Sequence, residues 1–174
     1  MNILVIGHAT HGKDTVAEML RDRYGFTFES SSLAASRIFL YDALAPVYGY
    51  NTPEECFKDR VNHRAEWHDL ICDYNTPDKA RLAKKILATS DMYVGMRSHD
   101  EIEACKEQGL FDVIIGVYDP RKPEEPKDSF NINIWEEADF IIPNAGTLED
   151  LNQKVCKLWV FAENLCLKVY HDSF

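Results

Sequence analysis

Short apolar runs alternate with longer amphipathic segments along the chain. The apolar runs lie at residues 2–6 (NILVI), 26–30 (FTFES), 92–94 (MYV), 112–117 (DVIIGV) and 139–142 (DFII). Runs of this length between turn residues are typical of strands, and continuous apolar runs suit strands that are buried on both faces. Because the segments between them have helical periodicity, the pattern predicts an α/β fold: a five-stranded parallel sheet with helices on both faces, in three layers.

Capping residues mark where the predicted helices begin. These starts lie at residues 52–55 (TPEE), 76–78 (TPD), 98–101 (SHDE) and 147–150 (TLED). Two further helical regions are predicted over residues 13–24, where Gly25 ends the helix, and over residues 32–48. Glu101 is interpreted as part of a capping box and not as a catalytic group. The last helix carries apolar residues at helical spacing, namely Leu151, Val155, Leu158, Ala162 and Leu165.

One segment fits neither a helix nor a central strand. Residues 119–129 (DPRKPEEPKDS) contain three prolines and seven charged side chains, and proline interrupts both kinds of structure. The segment is either a solvated surface loop or a mobile lid in which Arg121, Lys122 or Lys127 faces a ligand.

Composition limits the classes of function. The 174 residues include 19 Lys and Arg and 29 Asp and Glu, for a net charge of −10, and this length fits one domain over residues 1–174. Such an acidic protein cannot present the broad cationic face of a duplex-binding protein, although it can hold a local cationic cluster. No apolar run approaches the roughly 20 residues of a membrane span, and no signal peptide is recognisable. We therefore expect a cytoplasmic protein without a membrane partner.

The cysteines do not suggest a disulfide framework. Their number is odd, and no pair has the spacing CxxC; they are Cys56, Cys72, Cys105, Cys156 and Cys166. We interpret them as reduced thiols that mostly fill the core. The oligomeric state stays open, a homodimer included.

Residues 7–15 (GHATHGKDT) match the pattern G-x-x-x-x-G-K between the first predicted strand and the first predicted helix. This is the context of a phosphate-binding loop, in which main-chain amides and the helix N-terminus surround the phosphates. Lys13 adds a positive charge for the β- and γ-phosphates, which a mere glycine turn would not explain. The predicted ATP-binding residues are Gly7, His8, Ala9, Thr10, His11, Gly12, Lys13, Asp14, Thr15 and Asn144.

The loop departs from its usual pattern in one position. The lysine is normally followed by Ser or Thr, whose hydroxyl binds Mg²⁺, but here Asp14 follows and Thr15 comes next. The third predicted strand also lacks an acidic residue at its carboxyl end. We hypothesise that Asp14, with Thr15 beside it, holds Mg²⁺, since this ion prefers oxygen ligands. Alternatively, Asp14 only stabilises the first helical turn through the helix dipole.

A cationic stripe is predicted on the helix that starts at Pro53. Its members have the spacing of one helix face and are Arg60, His63, Arg64 and Trp67. A separate, mainly apolar stripe of Phe57, Val61, Ala65 and Cys72 would face the core. Guanidinium groups bind phosphate in bidentate fashion, so the cationic stripe predicts an acceptor site with Trp67 stacked on a base. Alternatively, it is an exposed face paired with Asp59 and Glu66.

Two further candidates follow predicted strands. Arg97 comes just after the third strand and Asn144 just after the last. Ligands of open parallel sheets bind beyond the carboxyl ends of the strands, so Arg97 is predicted to contact a ligand near the phosphate-binding loop. The segment 144–147 (NAGT) could hold an adenine through its backbone, or form an ordinary turn in which Thr147 caps the last helix.

With these features the sequence resembles the P-loop nucleoside monophosphate kinases, and especially the deoxynucleoside monophosphate kinases of bacteriophages. Three segments carry the resemblance: GHATHGKDT, YVGMRSHDEIEACKEQGLFDVIIGVYD and ADFIIPNAGTLEDLNQKV. It implies a P-loop kinase fold, ATP with Mg²⁺ as donor, an acceptor-binding helical region at about residues 31–75 and a lid at about residues 119–130. By matching position it implies Arg97 and Arg121 as catalytic residues beside Lys13, and a host cytoplasm as location.

The same motifs leave the acceptor open. The sequence is also similar to phage kinases that phosphorylate 5-hydroxymethyluracil within DNA, through the same loop and residues 63–67 (HRAEW). The charge of −10 disfavours DNA, since binding a polymer recruits several phosphate contacts, although a single-stranded end held by Arg60 and Arg64 escapes that objection. A third class is a module that binds or slowly hydrolyses a nucleotide. We predict transfer of the γ-phosphoryl group of ATP to a deoxynucleoside monophosphate.

Overall fold

The computed structural model describes residues 1–171, with side chains described up to residue 162. Within this part, a five-stranded and wholly parallel sheet has the strand order β2-β3-β1-β4-β5. The strands are β1 (Ile3–Ile6), β2 (Phe28–Ser30), β3 (Met92–Val94), β4 (Val113–Tyr118) and β5 (Phe140–Pro143). Each strand coincides within two residues with a predicted apolar run, so the predicted α/β fold class is confirmed.

Helices connect every pair of consecutive strands. They are α1 (Lys13–Tyr24), α2 (Ser31–Ala35), α3 (Tyr41–Tyr48), α4 (Pro53–Asp59), α5 (Arg64–Tyr74), α6 (Arg81–Leu87), α7 (His99–Glu107), α8 (Ile134–Glu137) and α9 (Leu148–His171). A π-helical segment, Ser36–Leu40, joins α2 to α3, so the predicted helical region over residues 32–48 is continuous. No described helix has the length and apolar character needed to cross a bilayer.

Successive side chains of β1 pack into two different hydrophobic cores, one on each face of the sheet. Ile3 and Val5 face α1 and α9, whereas Leu4 and Ile6 face the helices on the other side of the sheet. All four are fully buried, as the two-residue repeat of a strand covered on both faces requires. This arrangement confirms the three predicted layers.

The prediction of one continuous helix from Pro53 past Cys72 is wrong. A 3₁₀ turn, Arg60–Asn62, separates α4 from α5. The carboxylate of Asp59 accepts hydrogen bonds from Asn62 and from Tyr50 and contacts His63, and such local side-chain bonds compete with helix continuation. The predicted apolar stripe is broken as a result, with Val61 56% exposed and Cys72 on the surface.

One predicted helix start and one predicted cap also differ. α6 begins at Arg81, because the Thr76 hydroxyl donates back to Cys72 O and the Asp78 carboxylate accepts from the Ala80 amide, which makes this stretch a turn. α7 begins where predicted, but the Ser98 side chain forms no capping bond. The caps of α4 and α9 are confirmed, since the hydroxyls of Thr52 and Thr147 accept amide hydrogen bonds three residues later.

The described cysteines are free thiols in unequal surroundings. Cys56 and Cys105 are buried, Cys156 is half-buried and Cys72 is exposed. The prediction of reduced cysteines that fill the core therefore holds for two of the four. The side chains of Cys166 and of Leu165, which was predicted on the apolar face of α9, lie outside the described residues.

Leu20 should contribute strongly to stability. Its side chain is fully buried in the core between α1, the sheet and α9, so Leu20→Ala removes apolar contacts and leaves a cavity. We expect a loss of about 2–5 kcal/mol in the free energy of unfolding, measured by urea denaturation. The matched control is Leu148→Ala, since Leu148 is 66% exposed and should change the value by less than about 0.5 kcal/mol. Equal losses in both variants would contradict this assignment of the core.

Candidate active site

The carboxyl ends of the strands place the predicted site residues along one edge of the sheet. β1 leads into Gly7, β3 into Gly95, β4 into Asp119 and β5 into Asn144. β1 pairs in parallel with both β3 and β4, and β4 pairs with β5, so these four ends lie in a row along one edge. This edge is where ligands of open parallel sheets bind.

Residues 7–12 form a tight loop between β1 and the first residue of α1. Its turns use left-handed backbone at Thr10, with φ of 64°, and at Gly12, with φ of 99°. The His11 amide donates to His8 O at 3.3 Å. A Cβ at Gly12 would lie 2.5 Å from the side-chain nitrogen of Asn144, so both the backbone angle and the space require glycine here.

Lys13 lies almost buried at the centre of this edge. It is 9% exposed, and its Nζ donates to His8 O at 3.3 Å. Burial lowers the pKa of Lys13, Asp14 opposes this shift, and the positive charges of Arg97 and Arg60 lower the pKa further. Three cations from different parts of the chain therefore act on one another at this edge.

Asp14 and Thr15 offer oxygen ligands beside Lys13. Asp14 is exposed in the first turn of α1, and Thr15 is half-buried. Among the described residues, no cation lies within ion-pair distance of the Asp14 carboxylate. A carboxylate and a hydroxyl are the hard ligands that Mg²⁺ prefers, so this donor set fits the ion.

Arg97 and the phosphate-binding loop meet at one carboxylate. Arg97 Nη1 donates to Glu125 Oε1 at 2.6 Å, and the Ala9 amide donates to Glu125 Oε2 at 2.6 Å. Burial alone would raise the pKa of Glu125, but the hydrogen bonds from Arg97 and Ala9 outweigh it and the pKa is lowered. Arg97 thus lies beside the loop, at the position that its place after β3 predicts.

The predicted cationic stripe is divided by the turn between α4 and α5. Arg60 lies in that turn, half-buried, with its guanidinium 4.6 Å from the centre of the Phe57 ring. Burial lowers the pKa of Arg60, and the nearby charges of Arg64 and Arg97 lower it further. Within the described part of the chain, neither Arg60 nor Arg64 has a carboxylate within ion-pair distance. Both guanidinium groups thus lack a charge partner among the described side chains, and Arg60 is close enough to Arg97 and Lys13 for their charges to act on one another.

His63 and Trp67 do not share that position. His63 Nε2 lies 3.1 Å from Asp59 Oδ2, and its ring packs on Tyr48 at 4.1 Å. Trp67 is only 4% exposed and belongs to the core. The prediction of one shared stripe is therefore wrong for Trp67, because a buried ring leaves no face for a base to stack on. His63 instead makes the contact with Asp59 that the alternative predicts, and its Nδ1 lies 4.0 Å from Glu66 Oε2.

Arg121 and Asn144 are joined by hydrogen bonds to each other and to the loop of residues 7–12. Arg121 donates to both carboxylate oxygens of Asp119 at 2.8 Å and to Asn144 O at 2.9 Å. This guanidinium holds the pKa of Asp119 down at about 2. The Asn144 side chain donates to His11 O at 3.1 Å. Both residues thus lie at the predicted edge, tied to each other and to the loop.

The segment predicted as a lid, residues 119–130, contacts the loop of residues 7–12 through two histidines. His11 Nδ1 accepts from the Asp119 amide at 3.1 Å, and His11 Nε2 lies 3.2 Å from Pro123 O, to which it donates. His8 Nδ1 accepts from the Glu125 amide at 3.0 Å. The sequence gives no signal for these contacts, because they join positions more than 100 residues apart.

Comparisons with known proteins define the fold. No protein-family model matches the chain, and no curated protein sequence matches it at a significant level. The chain is similar in structure to a dephospho-CoA kinase from Campylobacter jejuni, with a TM-score of 0.53 and 15% identity over 92% of this chain and 97% of that one. It is also similar to a gluconokinase from Sinorhizobium meliloti, with a TM-score of 0.52 and 12% identity over 96% of each chain.

The chain therefore shares its fold with these two kinases. At these levels of identity the likeness concerns the architecture: a wholly parallel five-stranded sheet with helices around it. The narrower resemblance to phage deoxynucleoside monophosphate kinases rests on the sequence motifs.

Proposed function

We propose that the protein transfers the γ-phosphoryl group of ATP to a deoxynucleoside monophosphate, as the phage enzymes that its sequence resembles do. One observation carries the proposal: Lys13 and Arg97 are held at the loop of residues 7–12 by hydrogen bonds to His8 O and to Glu125, and the charge of Arg60 acts on Lys13 at the same place. Phosphoryl transfer between two nucleotides brings two highly charged phosphate groups together, and cations must offset that charge.

The donor occupies the loop. Main-chain amides of residues 8–14 bind the phosphates, and Lys13 leaves His8 O to reach the β- and γ-phosphates. Asp14 and Thr15 hold Mg²⁺, which neutralises charge on the triphosphate when bound. Asn144 and the segment that follows it hold the adenine. Arg121, which donates to Asn144 O, is the proposed catalytic cation of the lid, beside Lys13 and Arg97.

The acceptor lies on the side of the helices between β2 and β3. We assign residues 31–75 to acceptor binding and residues 119–130 to the lid, within one kinase domain of a cytoplasmic protein. Arg60 and Arg64 bind the acceptor phosphate, since neither has a carboxylate partner among the described residues. Arg97 lies between donor and acceptor, where it offsets charge on the moving group. An acceptor phosphate oxygen attacks the γ-phosphorus, the bond to the β-phosphate oxygen breaks, and ADP leaves with a deoxynucleoside diphosphate as product.

A phosphate acceptor suits this edge better than a hydroxyl group does. A hydroxyl has to lose its proton, so a base must stand nearby, whereas a nucleotide phosphate is already ionised. This difference supports a free nucleotide over the 5-hydroxymethyl group of a base in DNA, as does the net charge of −10.

An acceptor panel tests the proposal. The protein is incubated with ATP and Mg²⁺ and with each deoxynucleoside monophosphate in turn, and both ADP and the phosphorylated product are measured. We expect at least one diphosphate product in amounts equal to ADP. Phosphate transfer only to an oligonucleotide that contains 5-hydroxymethyluracil would replace the proposed acceptor. ADP release without any phosphorylated product would indicate a hydrolysing module, and no turnover at all would contradict a kinase.

Asp14 should control the Mg²⁺ requirement. In Asp14→Asn the carboxylate is lost while the shape is kept, so we expect the Mg²⁺ concentration for half-maximal activity to rise by at least about tenfold. Asp22→Asn, at the other end of α1, is the matched control and should leave that concentration unchanged. An unchanged requirement in Asp14→Asn would show that Asp14 only stabilises the helix, through its dipole.

A further inference from the structure

The carboxylate of Glu125 lies where the loop offers hydrogen bonds to an anion. Its two oxygens accept from the Ala9 amide and from Arg97, each at 2.6 Å, and its side chain is 14% exposed. Lys13 is close enough for its charge to act on Glu125. A main-chain amide, a guanidinium and an ammonium group are the usual partners of a phosphate. The Glu125 carboxylate therefore has the hydrogen-bond and charge partners that a bound phosphate would have.

The backbone around Glu125 keeps the carboxylate there. The Glu125 amide donates to His8 Nδ1, and the Phe130 ring packs on the His8 ring at 4.4 Å. Arg97 also donates to Ser129 O at 3.4 Å and accepts from the Asn131 amide at 3.1 Å through its own carbonyl. The lid is thus anchored before, at and after Glu125, which distinguishes this contact from an isolated surface ion pair.

We propose that Glu125 is an internal competitor of the nucleotide: in the free protein its carboxylate occupies the anion site of the loop, and a triphosphate must displace it. Displacement detaches the lid from Ala9 and releases Arg97 for the reacting phosphates. The inference rests on the proposed function, since a competitor requires a nucleotide that binds the same loop. The apparent affinity for nucleotide is then the intrinsic affinity multiplied by the fraction of chains in which Glu125 has left.

Nucleotide binding to three proteins tests this competition. Wild type, Glu125→Gln and Glu124→Gln are titrated calorimetrically with a non-hydrolysable ATP analogue and Mg²⁺, and with inorganic tripolyphosphate. Glu124 is the matched control, because it is the exposed neighbour of Glu125 and makes no contact with the loop amides. We expect Glu125→Gln to bind both ligands about tenfold more tightly than wild type, and Glu124→Gln to bind them as wild type does. Glu125→Ala should show the same gain.

Equal affinity in all three proteins, or weaker binding by Glu125→Gln, would overturn the inference and leave the proposed function intact. Binding of the analogue to none of them would overturn both.

The NMR signal of the Ala9 amide tests the contact with Glu125 without any nucleotide. This signal should shift in wild type as the pH falls through the lowered pKa of Glu125, because protonation removes the charge that the amide faces. The shift should disappear in Glu125→Gln and persist in Glu124→Gln. Arg97, Lys13 and His8 are the other charged or titratable groups that face Glu125, and the charge of Glu124 acts on His8. A shift that keeps the same midpoint in Glu125→Gln would contradict the assignment.

Discussion

Lys13→Ala should lower turnover by about a thousandfold or more, with the fold intact. The Nζ is the only described ammonium group on the phosphate-binding loop, and burial places it in a setting where a charge acts strongly on a nearby phosphate. The measurement is kcat with ATP, Mg²⁺ and the acceptor that the panel identifies. Thermal unfolding followed by circular dichroism checks that the variant folds.

Lys85→Ala is the matched control for this loss. Lys85 is an exposed lysine on α6, away from the carboxyl edge of the sheet, and its removal should leave kcat near the wild-type value. Near-normal turnover in a folded Lys13→Ala would refute both the phosphate-binding loop as the donor site and the kinase activity built on it.

The second large effect is expected at Arg97. Arg97→Ala should reduce kcat by about 100- to 1000-fold, because in the proposed reaction this guanidinium, which lies beside the loop of residues 7–12, offsets charge on the transferred group. The KM for ATP should change far less, since the loop amides and Lys13 still bind the phosphates. Steady-state kinetics with both substrates varied separates the two parameters.

Arg97→Lys distinguishes charge from geometry. An ammonium group keeps the charge but cannot donate from two parallel N–H groups, so we expect it to restore only part of kcat. Arg23→Ala, at the exposed end of α1, should have no effect on kcat. A raised KM for ATP with an unchanged kcat in Arg97→Ala would place Arg97 in ground-state binding instead.

The sheet could be predicted because burial on both faces leaves a direct trace in the sequence. The runs that form β1 and β4 contain almost no polar residue, and helical segments of adequate length separate the strands. The break at residues 60–62 left no such trace. Periodicity alone continues through it, whereas the turn depends on the hydrogen bond from Tyr50 to Asp59, a contact that only the folded chain brings together.

The tight loop between β1 and α1 could be predicted because its spacing and its position between strand and helix are both local properties. Arg97 could be predicted because its position after a strand determines its location in a parallel sheet. Glu125 could not, because nothing singles out one carboxylate within a segment of seven charges. Trp67 was misplaced for a related reason: its orientation depends on where α5 begins, and the periodicity did not reveal that boundary.

The outer strands of the sheet limit how two copies of the chain could associate. β2 at one margin is three residues long, and β5 at the other is four residues long and ends with Pro143, which has no N–H to donate. A neighbouring chain that lined up beside either margin would gain few main-chain hydrogen bonds, so these strands are poor templates for sheet extension. A homodimer would therefore have to associate through its helices, and it could form or dissociate without altering the order of the strands.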